Sequence, residues 1–305
     1  MTAASFLQNR LKRVAWGRKV VIGVPLLFLL VFFLLPFLVV FKISLSDMNN
    51  TVFSDLWLWS DGVLQIKLQL GNYLFLLQDD LYVQTYLRSL KFAGITTVIC
   101  LLIAYPFAYF MARSPASQRQ TLVMLVMLPF WTSFLVRVYA WKMLLADHGL
   151  FNNLAIALGL LAEPLKMMNT PFSLILGMVY TYLPFMILPL YANLVKMDLR
   201  LIEAALNLGA TPWQAFWLIT VPISRAGIMA GSLLVLIPCV GEFVIPELLG
   251  GPQTLMIGRV LWDEFFSNND WPMAAAVAVI MVLLIIVPLA LFNYYHANSQ
   301  AGRHA

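Results

Sequence analysis

Charge is scarce in this chain. Aspartate, glutamate, lysine and arginine supply only 11% of its 305 residues, against 62% hydrophobic, and a globular domain cannot keep so apolar a surface in water. The shortage excludes a soluble enzyme or a nucleic-acid-binding module and leaves an all-α integral membrane protein. Cysteine and histidine are as rare. Cys100 and Cys239 both fall inside apolar runs, where they act as small buried hydrophobes rather than as a disulfide or metal pair. His148, His296 and His304 have no partner at i+4, so no metal or general-base site is assigned to them. No Gly-x-x-x-x-Gly-Lys-Ser/Thr stretch occurs, so the chain offers no phosphate cradle for ATP. Internal repeats and low-complexity tracts are absent too.

What is present is apolar run after apolar run. Uncharged stretches of ~20 residues or more, enough to cross a bilayer, cover 20–41, 92–111, 171–195 and 271–295. Two more, 121–145 and 226–246, are interrupted by Arg137 and Lys142 and by Glu242. Six spans put both termini on one side. Arg10, Lys12, Arg13, Arg18, Lys19, Arg113, Arg119, Lys196, Arg200, Arg225 and Arg303 lie on that side, which the positive-inside rule makes the cytoplasm. The outer loops hold most of the acids, either as an acidic outer face with a function or as what remains once Lys and Arg are sorted inward. The first run is long and has no small-x-small cleavage site, so it is expected to stay as a signal anchor. The expected organisation is a basic cytoplasmic segment 1–19, a six-span region 20–295 and a cytoplasmic tail 296–305.

The outer loop 42–91 is long for a connection and reads as a docking surface or lid. Within it Leu64, Ile66, Leu68 and Leu70 alternate with polar residues, a period of two that predicts an extended segment. Pro106 between Tyr105 and Phe107, and Pro184 and Pro189 near Tyr180, Tyr182 and Tyr191, predict bent aromatic helices of the kind that line a gated cavity, although proline is common in membrane helices in any case. Gly227 and Gly231 form a small-xxx-small pair for close helix approach. A charge at membrane depth costs at least ~2.5 kcal/mol on insertion scales and so faces protein or water. Three uses of Glu242 stand open at this point: an ion pair with Arg137 or Lys142, a carboxylate offered to a cationic substrate, or a position level with the lipid headgroups.

The interval 196–222 is the most patterned. Met197, Leu201, Ala204, Ala205 and Leu208 recur at helical spacing, with Lys196, Arg200, Glu203 and Asn207 opposite them. Gly209 suits a helix C-terminus with positive φ. Thr211-Pro212-Trp213-Gln214 supplies an N-cap, a first-turn proline and a capping-box glutamine. A second helix therefore starts near Pro212 and is expected to stop at Pro222. Its Trp213, Phe216, Trp217 and Leu218 are more apolar bulk than a solvated short helix can use, which points to a groove in another chain. The alternative is that both helices pack on their own bundle.

Glu203-Ala204-Ala205, with Gly209 four residues on and Ile219 and Pro222 closing the loop, resembles the EAA loop of ABC-importer permeases. Val221 stands where that family often has Leu. The resemblance implies the type I importer fold, with Glu203, Ala204, Ala205, Gly209 and Pro222 at the contact with a cytoplasmic ATPase. Gly241-Glu-Phe-Val-Ile-Pro-Glu-Leu-Leu-Gly-Gly-Pro252, Met256-Ile-Gly258, Asp270-Trp-Pro272 and the stretch from Leu128 to Trp141 are similar to the polyamine importer permeases. Asn72-Tyr73 and Asp79-Asp80 in the outer loop look most like the putrescine-type members. The resemblance implies a second homologous permease, an ATPase dimer that binds ATP and magnesium, and a periplasmic polyamine-binding protein as partners. This chain would then be non-catalytic and carry no cofactor. Aromatic faces and a carboxylate suit a polyamine, and Trp131, Arg137, Tyr139, Trp141, Tyr182 and Glu242 are the candidate path residues. An importer of another small solute, a secondary transporter with Glu242 and Arg137 as an ion relay, and a membrane assembly factor are the other functions considered.

Overall fold

In a computed structural model the described residues form helices and their connections, apart from two short hairpins. The structure describes residues 20–46 and 69–301, with strands at 48–49, 52–53, 57–60 and 63–66 between them. The basic segment 1–19 and residues 302–305 lie outside the described residues. Contacts divide the chain into two compact units, one from 1–78 with 264–305 and one from 79–263.

In the first unit α1, Val20–Ser44, is the most apolar helix, and its residues face outward. One π-turn, Leu30–Leu34, precedes Pro36. Of the extended segment expected over 64–70, residues 64–66 lie in strand β4, Val63–Ile66, paired antiparallel with β3, Trp57–Ser60, and 67–68 lie outside the described residues; β1, Met48–Asn49, pairs with β2, Val52–Phe53. The two ends of this outer loop are tied together. Gln69 N–H donates to the Leu45 carbonyl at 3.0 Å, and Asn72 donates to the Ser44 and Ser46 carbonyls at 3.3 Å. Since the Ser44 hydroxyl donates to the Phe41 carbonyl, the Tyr73 hydroxyl donates to Ser44 at 2.6 Å. Helix α2, Gly71–Gln78, follows. The last helix of the chain, Trp271–Ala301, packs along Leu35–Ser44 and runs through residues expected to form a separate tail.

The second unit is a bundle of three long helices: α3, Asp80–Arg113; α7, Pro171–Leu194; and α10, Arg225–Val240. In lipid no hydrophobic gain drives helices together, so close packing must do it. Small residues permit that approach. A Cβ at Gly231 would stand 2.7 Å from the Met186 Sδ, and one at Gly227 would stand 3.1 Å from the Pro189 carbonyl. Cys100 and Cys239 are buried and free.

Two expected spans are broken. Between α4, Ala116–Met127, and α5, Phe134–Leu145, the chain makes a 3-10 turn over Leu128–Trp131, and the axis turns by 84°. Pro129 enters that turn and Thr132 leaves it extended, with its hydroxyl on the Pro129 carbonyl at 2.8 Å. The fifth run also stops early, at Val240. It resumes as α11, Val244–Leu249, and α12, Ile257–Trp262. Between α5 and α7 lies α6, Leu150–Ala157. Three described helices are long and apolar enough to cross a membrane, or five if each bent pair is one span, and the apolar stretch Trp271–Ile286 adds a shorter candidate.

Candidate functional site

Interval 196–225 forms the two helices its caps predict. In α8, Arg200–Asn207, the Asp198 carboxylate accepts from Arg200 N–H at 3.0 Å. The helix ends with Gly209 at φ +89° and Ala210 N–H on the Ala205 carbonyl at 3.0 Å, the six-to-one bond of a Schellman turn. Thr211 then caps α9, Pro212–Ile223: its hydroxyl accepts from Gln214 N–H at 3.3 Å, and the Gln214 side chain accepts from Thr211 N–H at 2.8 Å. The helix ends at Ile223, one residue past Pro222. A π-turn over Phe216–Thr220 takes up the strain ahead of that proline, and the axis bends by 64° only at Ser224.

The described residues do not cover the apolar face of this loop. Leu208 is 89% exposed, Trp213 69% and Leu218 74%, and Leu199, Leu201, Leu206 and Trp217 are exposed as well. Packing of both helices on their own bundle is therefore incomplete. Glu203, Ala204 and Gly209 are exposed, while Ala205 and Pro222 are half-buried.

Glu242 stands in the gap between α10 and α11. One carboxylate oxygen accepts from Val244 N–H at 3.0 Å and Ile245 N–H at 3.4 Å, and the other accepts from the Tyr182 hydroxyl. The ion pair with Arg137 or Lys142, one of the three readings left open for Glu242, is not formed: among the described residues the ion pairs join Arg259 to Glu247 at 2.6 Å and to Asp263 at 3.9 Å. The cause is the helix break, which frees two backbone donors beside the carboxylate. Arg137 meets aromatic faces instead, 5.6 Å from the Phe130 centroid and 6.0 Å from Phe134, and its Nε is buried without a hydrogen-bond partner. Lys142 is exposed, 6.0 Å from the Tyr139 ring.

Of the six candidate path residues the structure links three. Tyr182 lies 6.2 Å from Phe185, Phe185 lies 5.2 Å edge-on from Phe130, and Phe130 carries Arg137. A line therefore runs from Glu242 through three rings to Arg137. Phe130 and Phe185 were missed by sequence reasoning; the available signal was Phe185 one helical turn after Tyr182. Trp141 is elsewhere. It packs against Phe151 and Tyr180 and lines an apolar recess of about 390 Å³ with Leu145, Phe172 and Leu176. Trp131, at 75% exposure, and Tyr139 project from the α4–α5 break and from α5.

Residues 104–298 match the family described as the binding-protein-dependent transport system inner membrane component. The spermidine/putrescine transport system permease protein PotB of Haemophilus influenzae is 38% identical over 286 residues, which covers 94% of this chain and 96% of that one. The protein of the same name in Escherichia coli is 41% identical over 234 residues, 77% of this chain and 84% of its own. Among solved structures, a bacterial ABC transporter involved in the import of the acidic polysaccharide alginate superposes with a TM-score of 0.68 at 17% identity, covering 96% of this chain and 98% of that one, a likeness of fold.

Proposed function

Because this chain belongs to the family of binding-protein-dependent transport system inner membrane components and is a multi-pass inner-membrane protein, we propose that it is the permease subunit of an ATP-driven polyamine importer. Its substrate moves from periplasm to cytoplasm, with putrescine favoured over spermidine. The observation that carries the substrate class is the nearly full-length likeness to permeases named for spermidine and putrescine. The chain is a non-catalytic subunit. ATP and magnesium sit on a separate ATPase dimer, a second homologous permease completes the membrane part, and a periplasmic polyamine-binding protein delivers the substrate. Six spans place both termini in the cytoplasm.

Coupling runs through the loop that holds Glu203, Ala204, Ala205, Gly209 and Pro222. Its uncovered Leu208, Trp213, Trp217 and Leu218 are an apolar surface that suits a groove in the ATPase. In the path, an ammonium group can lie against the Tyr182, Phe185 and Phe130 faces with the Glu242 charge at one end. Arg137 at the other end opposes a cation, which keeps residence short, as transport requires.

The test is uptake of labelled putrescine and spermidine in cells with and without the gene, with unlabelled polyamines as competitors. Loss of both uptakes on deletion, with putrescine the stronger competitor, supports the proposal; unchanged uptake removes it. Transport by this chain alone, with no ATPase subunit attached, would make it a secondary transporter. Orientation is checked by cysteine labelling: with an impermeant thiol reagent outside, a cysteine replacing Ser117 or Gln118 should stay unlabelled and one replacing Asn268 should react.

A further inference from the structure

The loop also has an inward side, and one aromatic ring on it connects to its exposed indoles. Phe216, at the start of the π-turn, is half-buried and meets the rings of Tyr105 and Tyr109 edge-on, with centroids 5.5 and 6.0 Å away and both interplanar angles 83°. On its other side the exposed Trp213 stacks on it at 5.9 Å and Trp217 meets it edge-on at 5.4 Å. One ring thus joins the outward indoles to α3.

The place where α3 is gripped is not arbitrary. Tyr105 and Tyr109 are one helical turn apart, and Pro106 lies between them inside the helix. Proline has no N–H, so the Leu102 carbonyl loses its intrahelical donor and the helix is compliant there. A hydrogen bond fixes the upper tyrosine. The Ser224 hydroxyl donates to the Val221 carbonyl at 3.0 Å, which leaves the Tyr105 hydroxyl as donor to Ser224 at 2.8 Å. Ser224 is fully buried at the 64° bend between α9 and α10. The Arg113 guanidinium, 4.8 Å from the Tyr109 centroid, backs the lower ring.

We propose that Phe216 is a positioning residue that sets the bend of α3 at Pro106: its ring, clasped by Tyr105 and Tyr109 across the proline, turns displacement of the loop into a change of angle in α3. The inference rests on the reading of the loop as the ATPase-facing element. A ring edge clasped on two sides resists shear in both directions, whereas the proline offers the least resistance within the helix. Force applied at Trp213 and Trp217 is therefore spent at residue 106 rather than dissipated along the loop.

The experiment measures labelled putrescine taken up per ATP hydrolysed, in proteoliposomes containing the importer purified through a tag on this chain, with the binding protein added. Phe216→Ala and Pro106→Ala are each expected to lower that ratio about tenfold, the scale of a coupling free energy between sites, while the ATPase subunit still copurifies and still turns over. The double variant should be no worse than the poorer single one, because both act on one step. If Phe216→Ala reduces the amount of chain in the membrane, Phe216→Leu replaces it, keeping more of the apolar volume and losing the ring edges. A ratio unchanged in either single variant, or losses that multiply in the double, overturns the proposal. An unaltered chain that holds no ATPase subunit overturns this proposal together with the reading beneath it; a working importer with an unchanged ratio overturns this one alone.

Discussion

The turn inside the loop 196–225 and the strap 241–259 both interrupt helices, and they differ in the range of the bonds that hold them. In the loop the contacts that shape the turn join residues two to five positions apart: Asp198 to Arg200, Ala205 to Ala210, Thr211 to Gln214. In the strap the local bonds, such as those from Val244 and Ile245 N–H to Glu242, are joined by partners far apart in sequence. Glu242 reaches Tyr182, Ser173 donates to the Leu249 carbonyl at 2.7 Å, and Ser89 accepts from Ile257 N–H at 2.7 Å across 168 residues. The loop is also exposed where the strap is buried, with Ile245, Leu249 and Ile257 at zero exposure. The exposed turn keeps its shape with its own atoms; the strap, sealed into a bundle, takes its shape from the bundle.

The largest effects should come from the loop's outer surface. Glu203→Arg and Gly209→Trp are each expected to abolish uptake with the amount of inserted chain unchanged, because both positions are exposed. Gly209→Trp also puts a bulky residue at φ +89°, a local cost of about 1–2 kcal/mol. Normal uptake by either variant with the ATPase attached would break the comparison at its functional end. Glu242→Gln comes next. Gln retains an oxygen for the Val244 and Ile245 N–H groups, and no paired Arg137 or Lys142 is stranded. Abundance should hold while polyamine uptake falls about tenfold, the size of a lost charge-assisted contact. Disappearance of the chain would mean that the charge itself holds the strap.

Ser173→Ala tests the strap without touching charge. It leaves the Leu249 carbonyl short of a buried donor, so the unfolding free energy in detergent should fall by about 1–3 kcal/mol; an unchanged melting curve would show the strap to be held elsewhere. The smallest effect is expected from Thr211→Ala, which removes an exposed cap worth about 1 kcal/mol and should cost uptake no more than about twofold. Should Thr211→Ala destabilise the protein more than Ser173→Ala, the contrast between self-held loop and bundle-held strap is inverted.

The same division of range explains what was legible beforehand. Composition alone determined the membrane class, and run length located the apolar helices, because both depend on sums over neighbouring residues. Gly209 at the helix end and the Thr211–Gln214 box were readable for the same reason: positive φ and cap bonds act within one turn. Length could not show where the two spans break, since each run, charges included, is still long enough to cross a bilayer in one piece. Nor could it identify the partners of the charges. Whether Glu242 meets Arg137 or Tyr182 depends on how α7 crosses α10, which is settled where Gly227 and Gly231 let the backbones close on Met186 and Pro189. Phe216 shows both halves of the division. Its helix and cap were determined by the residues beside it, but the tyrosines that receive its ring lie more than a hundred positions earlier, brought there only by the packing of α3 against the loop.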